Sequence, residues 1–121
     1  MKRIIQETED GSKTIYIEDW DESYHSKHGA VQEAFHVFIQ NGFHHFTETK
    51  NPIKIIEIGL GTGLNSFVTL MEAEKHKIPV QYVGIEKFPV SDEEFELMNY
   101  FENVFKLYPE FEHRKEEFLN Y

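Results

Sequence analysis

The sequence predicts an α/β fold: an N-terminal β-hairpin and helix, then a βαβα unit forming the first half of a doubly wound parallel sheet. Three observations carry this. A β-branched run, Ile53-Lys54-Ile55-Ile56-Glu57-Ile58, leads into a turn with three glycines and then into an apolar helical stripe. One helix length later a second such run follows, Val80-Gln81-Tyr82-Val83-Gly84-Ile85. Near the N-terminus, Ile4 to Thr8 and Thr14 to Ile17 flank Glu9-Asp10-Gly11-Ser12, and Asp-Gly between two β-like runs signals a hairpin.

The elements follow in order. After the hairpin, Glu18 to Ser23 reads as a polar connection, and a helix opens at Gly29. Its apolar face is Val31, Ala34, Phe35 and Phe38, at the spacing of successive helical turns, and Asn41-Gly42 stops it. Phe43 to Pro52 reads as a loop. The run at 53–58 is too short for a helix and apolar enough for a central parallel strand. Leu64, Phe67, Val68 and Met71 then mark one face of a second helix, and Pro79 precedes the second strand. Ser91-Asp92-Glu93-Glu94 is a capping box for a third helix, with Leu97, Phe101, Val104 and Tyr108 as its buried stripe and Pro109 at its end. The tail from Glu110 to Tyr121 reads as weakly helical. Two parallel strands joined by a helix require a crossover, which is right-handed in nearly all proteins. The chain stops where a third strand should begin.

Composition excludes several classes. The chain has 121 residues, 40% of them apolar, including 11 Phe, which supplies a packed core and argues against disorder. No apolar run approaches the length of a membrane span, and the N-terminus turns acidic too early for a signal peptide. Cysteine is absent, which removes disulfides and thiolate metal sites and fits a reducing, cytoplasmic setting. Net charge is −10, from 22 acids and 12 Lys+Arg. Such a surface repels phosphate backbones, so this chain by itself is expected to bind nucleic acid poorly.

The glycine turn carries the sharpest chemistry. Gly59, Gly61 and Gly63 follow a strand and open a helix, where unpaired N–H groups and the absence of Cβ atoms admit a ligand. Dinucleotide sites use G-x-G-x-x-G, but Leu64 occupies the position of the third glycine and the spacing is G-x-G-x-G. Glu57, two residues before Gly59, places negative charge where a pyrophosphate would sit. It suits S-adenosyl-L-methionine, which has no phosphate and carries a cationic amino group and a sulfonium. Glu86 ends the second strand, 23 residues after Gly63, where nucleotide-binding units place an acid for the ribose hydroxyls. Tyr24-His25-Ser26-Lys27-His28 offers a hydroxyl and two imidazoles, but no orienting acid at a diagnostic spacing. His25 and His28 with His44 and His45 supply nitrogen donors without a metal-site spacing signature, so no metal is expected.

Three blocks in order carry a family resemblance. Tyr24-His25-Ser26-x-x-Gly29-Ala30-x-x-Glu33-x-x-His36-Val37-Phe38 is followed by Glu57-Ile58-Gly59-Leu60-Gly61-Thr62-Gly63-Leu64-Asn65, then Ile85-Glu86-Lys87-Phe88-Pro89. Together they resemble the methyltransferase domain of the MnmC type, over nearly the whole chain. The resemblance implies a Rossmann-like class I methyltransferase fold, here truncated to its N-terminal half. It implies methyl transfer from S-adenosyl-L-methionine to the aminomethyl group of a modified wobble uridine in tRNA. It also implies cofactor contacts at Tyr24, Ser26, Gly59, Asn65, Glu86 and Lys87.

On this reading, residues 1–121 form one partial domain, with 1–50 the hairpin, loop and helix and 51–121 the cofactor-binding βαβα half. The family's acidic motif that orients the target amine would fall beyond Tyr121, so no catalytic residue is assigned. tRNA would be a partner of the full-length protein, a flavin-dependent oxidoreductase domain a companion in two-domain members. Unpaired sheet edges predict a homodimer. The rival reading is a non-catalytic binding or assembly module that keeps the fold without turnover.

Overall fold

The computed structural model describes residues 2–48 and 51–118. Strands β1 (Arg3–Glu7) and β2 (Lys13–Ile17) pair antiparallel, with Arg3 opposite Ile17 and Glu7 opposite Lys13. The loop between them closes through the Thr8 amide on the Ser12 carbonyl at 2.7 Å, with Gly11 at φ +85°. A two-residue strand, β3 (Glu22–Ser23), adds to β2 inside the stretch read as a polar connection. Two polar residues are too few to show alternation.

Helix α1 (Ala30–Ala34) continues as a π-helical stretch, Phe35–Gln40. A π turn holds more residues than an α turn, and this shifts the expected face. Val31 and Ala34 are buried as expected, but Ile39 takes the buried place assigned to Phe38, which is half-buried. Part of the expected loop forms a 3₁₀ turn, Phe43–Phe46, which buries Phe43; positions 49–50 of that loop lie outside the described residues.

Strands β4 (Ile53–Ile58) and β5 (Val80–Ile85) pair parallel in register, Ile53 opposite Val80 and Ile58 opposite Ile85. Helix α2 (Leu64–His76) joins them, with Leu64, Val68 and Met71 fully buried. The other face of this sheet is open, and Ile56, Ile58, Val83 and Ile85 are 71%, 76%, 54% and 52% exposed. Among the described residues neither strand has a second neighbour, and the hairpin sheet stays separate.

The third helix departs from expectation. It forms as α3 (Asp92–Met98) and α4 (Tyr100–Phe105), broken at Asn99, which is left-handed at φ 54° and ψ 43°. Asn visits that conformation more readily than most residues. The break shifts the register: Met98, Tyr100, Val104 and Tyr108 are buried, whereas Leu97 is 58% exposed and Phe101 half-buried. The capping box at Ser91 forms as expected, Ser91 Oγ accepting from the Glu94 amide at 3.1 Å. The tail orders as a 3₁₀ turn, Pro109–Arg114, and α5 (Lys115–Phe118), because Phe118 packs against Phe105 and Phe111; positions 119–121 lie outside the described residues.

One apolar cluster runs through the molecule, from Ile15 in the hairpin through Val31 and Ile39 to Leu64, Met71 and Val104. Among the described residues no helix is long and apolar enough to cross a membrane.

Candidate functional site

The site is built on the turn between β4 and α2. Gly59, Gly61 and Gly63 all have positive φ, at 79°, 61° and 82°. At Gly61 the constraint is double, since a Cβ there would also meet the Tyr24 ring at 3.1 Å. The turn is stitched to β5 by the Gly59 and Leu60 amides, which donate to the Ile85 carbonyl at 2.8 and 3.1 Å. Gly63 precedes α2 without a side-chain cap, so the first N–H groups of the helix stay open.

Glu57 and Asn65 lie under this turn. Glu57 Oε2 accepts from Asn65 Nδ2 and from the Tyr82 hydroxyl, each at 3.0 Å. Glu57 Oε1 and Asn65 Oδ1 are buried without a hydrogen-bond partner. Buried polar atoms are nearly always paired, so two orphaned acceptors side by side in one hydrogen-bonded pair call for a donor from outside the chain. Burial pushes the Glu57 carboxyl above its ordinary range, against the pull of the Asn65 and Tyr82 hydrogen bonds.

Glu86 faces the turn from the end of β5. Its Oε2 accepts from the Gly61 amide at 2.7 Å and its Oε1 from the Phe88 amide at 3.0 Å. The Phe88 bond first, with Gly61 and the nearby Arg3 charge, holds its carboxyl below the ordinary range. Each carboxylate oxygen keeps a second lone pair for a ligand. Tyr24 lies against Gly61, and burial pushes its phenol up. The hairpin is tied to this region by Arg3, which donates to Glu94 Oε1 at 3.0 Å and to the Phe88 carbonyl.

The structure therefore brings Tyr24, Gly61 and Glu86 together, and Glu57 with Asn65. Ser26 and Lys87 stand apart. Ser26 Oγ accepts from the His28 amide at 3.1 Å and lines a separate cavity of about 750 Å³ with Asp10 and Gln32. Lys87 is exposed, its Nζ over the Phe88 ring at 5.3 Å. The four histidines considered as metal donors do not converge. The His25 side chain is buried, with Nδ1 3.5 Å from Glu33 Oε1, and burial pushes its imidazole down; His28 pairs with Glu9 at the surface.

Three supporting residues escaped the sequence reading: Tyr82, Arg3 and Tyr100, whose hydroxyl donates to buried Thr62 Oγ1 at 2.7 Å. Strand alternation carried a signal for Tyr82. It stands opposite Ile55, on the face that also bears Glu57.

No family model matches the chain. The bifunctional tRNA 5-methylaminomethyl-2-thiouridine biosynthesis protein MnmC of Leptospira borgpetersenii is 34% identical over 107 residues, 84% of this chain and 16% of that protein. The protein of the same name from Leptospira interrogans is 31% identical over 114 residues, 88% of this chain and 16% of that protein. The crystal structure of MNMC2 from Aquifex aeolicus superposes with a TM-score of 0.60 at 31% identity, covering 75% of this chain and 31% of that one. The chain thus spans 16% of the length of these curated relatives. By sequence and by α/β fold together, the chain matches the MnmC type.

Proposed function

We propose that this chain is the S-adenosyl-L-methionine-binding part of an N-methyltransferase acting on the aminomethyl group of a modified wobble uridine in tRNA. The observation that supports it most is the orphaned pair, Glu57 Oε1 and Asn65 Oδ1, below an uncapped helix N-terminus and a three-glycine turn. Two unpartnered acceptors on a buried Glu57–Asn65 pair fit an ammonium group. Glu86 suits ribose hydroxyls, and Tyr24 packs directly over Gly61 beside it.

When bound, the cofactor supplies an electrophilic methyl group. On this reading Glu57 and Asn65 would hold its amino group and Glu86 its ribose, with Tyr24 and the glycine turn around them, whereas Ser26 and Lys87 lie away from these residues. Such an enzyme gains chiefly by alignment and water exclusion. No described residue is assigned to orient the target amine, and a chain of net charge −10 is expected to bind tRNA poorly by itself. In keeping with this, residues 1–121 act as one partial domain of a cytoplasmic protein, with a flavin-dependent domain in two-domain relatives of the parent.

Calorimetric titration with S-adenosylhomocysteine tests the reading. Binding that falls at least tenfold in Glu86→Ala supports it; equal binding by wild type and Glu86→Ala contradicts it. The open edges of β4 and β5, with Ile56, Ile58, Val83 and Ile85 exposed beside them, support a two-fold dimer of the isolated chain. Light scattering should give twice the chain mass, and Ile56→Lys should lower it; a monomer across a wide concentration range contradicts the dimer.

A further inference from the structure

The C-terminal half of α2 carries a cluster that the cofactor site does not use. Glu72 is buried, its side chain 3% exposed, among core residues. Its Oε1 lies 2.6 Å from His44 Nε2 and 3.0 Å from His76 Nε2, while Oε2 accepts from the Tyr108 hydroxyl at 2.6 Å. Glu72 and His76 are four residues apart on one helix face. His44 reaches them from the 3₁₀ turn Phe43–Phe46. The three donor atoms lie within 4.8 Å of one another. Both imidazoles are about two-fifths exposed, at 40% and 41%, so the cluster opens to solvent on the histidine side with the carboxylate at its base.

We infer that His44, Glu72 and His76 form a binding site for a divalent transition-metal ion, zinc foremost, with the fourth position left to water. Two imidazole nitrogens and one carboxylate oxygen are the donor set zinc takes when it keeps an open position. Imidazole also selects zinc, copper or nickel over magnesium and calcium. Convergence of both Nε2 atoms on one carboxylate oxygen leaves the three donors around a common point. At zinc–ligand distances of about 2.0–2.2 Å the donors of a tetrahedral site stand roughly 3.3 Å apart, so the Glu72–His44 and Glu72–His76 contacts would lengthen, while all three donors already lie within 4.8 Å of one another.

Binding exchanges the two contacts to Oε1 for three metal–ligand bonds. Each imidazole then offers its Nε2 lone pair and keeps its proton on Nδ1; a protonated histidine releases one proton. Tyr108 stays on Oε2 and fixes the carboxylate from behind, the usual role of an outer-shell hydrogen bond. The ion would tie the turn after α1 to α2 independently of the cofactor site.

Cobalt(II) titration of the purified chain tests this, followed by absorption in the visible region. The site predicts a one-to-one, four-coordinate cobalt spectrum that zinc displaces. His44→Ala and His76→Ala, both partly exposed and outside the core, should each lower the affinity at least tenfold. His45→Ala, one residue away and exposed, should leave it unchanged. A folded chain without the cobalt bands, or unchanged affinity in either of the first two variants, overturns the proposal.

Discussion

Helices α1 and α2 begin in opposite ways. The first three amides of α1 are taken by the chain's own side chains: Ala30 donates to Thr8 Oγ1 at 3.2 Å, Val31 to Ser12 Oγ at 3.0 Å, and Gln32 to Asp10 Oδ2 at 3.0 Å. All three acceptors sit on the hairpin loop, and Gly29 lets that loop approach, since a Cβ there would lie 2.7 Å from Asp10 Oδ2. At α2 no side chain caps the helix, and two buried oxygens nearby go unpartnered. One N-terminus is capped by side chains and serves as a joint; the other has no side-chain cap and is, on the proposed reading, the receptor. A saturated polar network stabilises, whereas a buried group left unpaired costs stability.

The largest effect should come from closing the receptor. Gly61→Val forces a β-branched residue into positive φ and drives its Cβ into the Tyr24 ring. Calorimetry should find S-adenosylhomocysteine binding reduced at least 100-fold. Retained affinity would show that the turn does not shape the pocket.

Breaking the joint should cost stability and spare binding. Asp10 accepts from the Ser12 and Gln32 amides and from the Thr8 and Ser12 hydroxyls. Asp10→Ala should lower unfolding free energy by about 2 kcal/mol, the upper range for a lost helix cap, measured in urea. Affinity of the folded variant should stay within twofold of wild type. A fall in affinity without loss of stability would reverse the roles assigned to the two helices.

A smaller effect separates stability from function at Glu57. Its folded carboxyl sits above the ordinary value of 4.5 because of burial. The stability it contributes is therefore complete below that value and lost as pH rises through the folded pKa. Glu57→Gln removes that loss, so the variant should unfold at higher urea than wild type at pH 7 but not at pH 4. It should bind S-adenosylhomocysteine more weakly at pH 7 and about equally at pH 4, where the wild-type carboxyl is protonated as well. A variant less stable at pH 7 would mean that the carboxylate is satisfied within the chain.

The receptor was more legible in the sequence than the joint. A β-branched run, three closely spaced glycines and an acid at the next strand's end are local signals, each fixed by backbone conformation or strand position. Accordingly Gly59, Gly61, Gly63 and Glu86 lie where the spacing put them. The joint depends on Thr8, Asp10 and Ser12 meeting amides 19 to 22 residues away, and nothing local marks that. Asn99 breaks a helix whose apolar pattern runs on without interruption, since one left-handed residue leaves no trace in periodicity. The π-helical stretch hid for a related reason: Phe38 and Ile39 are both apolar, so the pattern could not tell which turns inward.

Parallel thermal melts with S-adenosylhomocysteine and with NAD separate the two kinds of ligand the glycine turn could take. At about 100 times its dissociation constant a ligand adds roughly 2.7 kcal/mol, which for a domain of this size raises the midpoint by about 10 °C or more. The account predicts that shift with S-adenosylhomocysteine, none with NAD, and its loss in Gly61→Val. A shift with NAD alone, or none with millimolar S-adenosylhomocysteine on a folded chain, would contradict it.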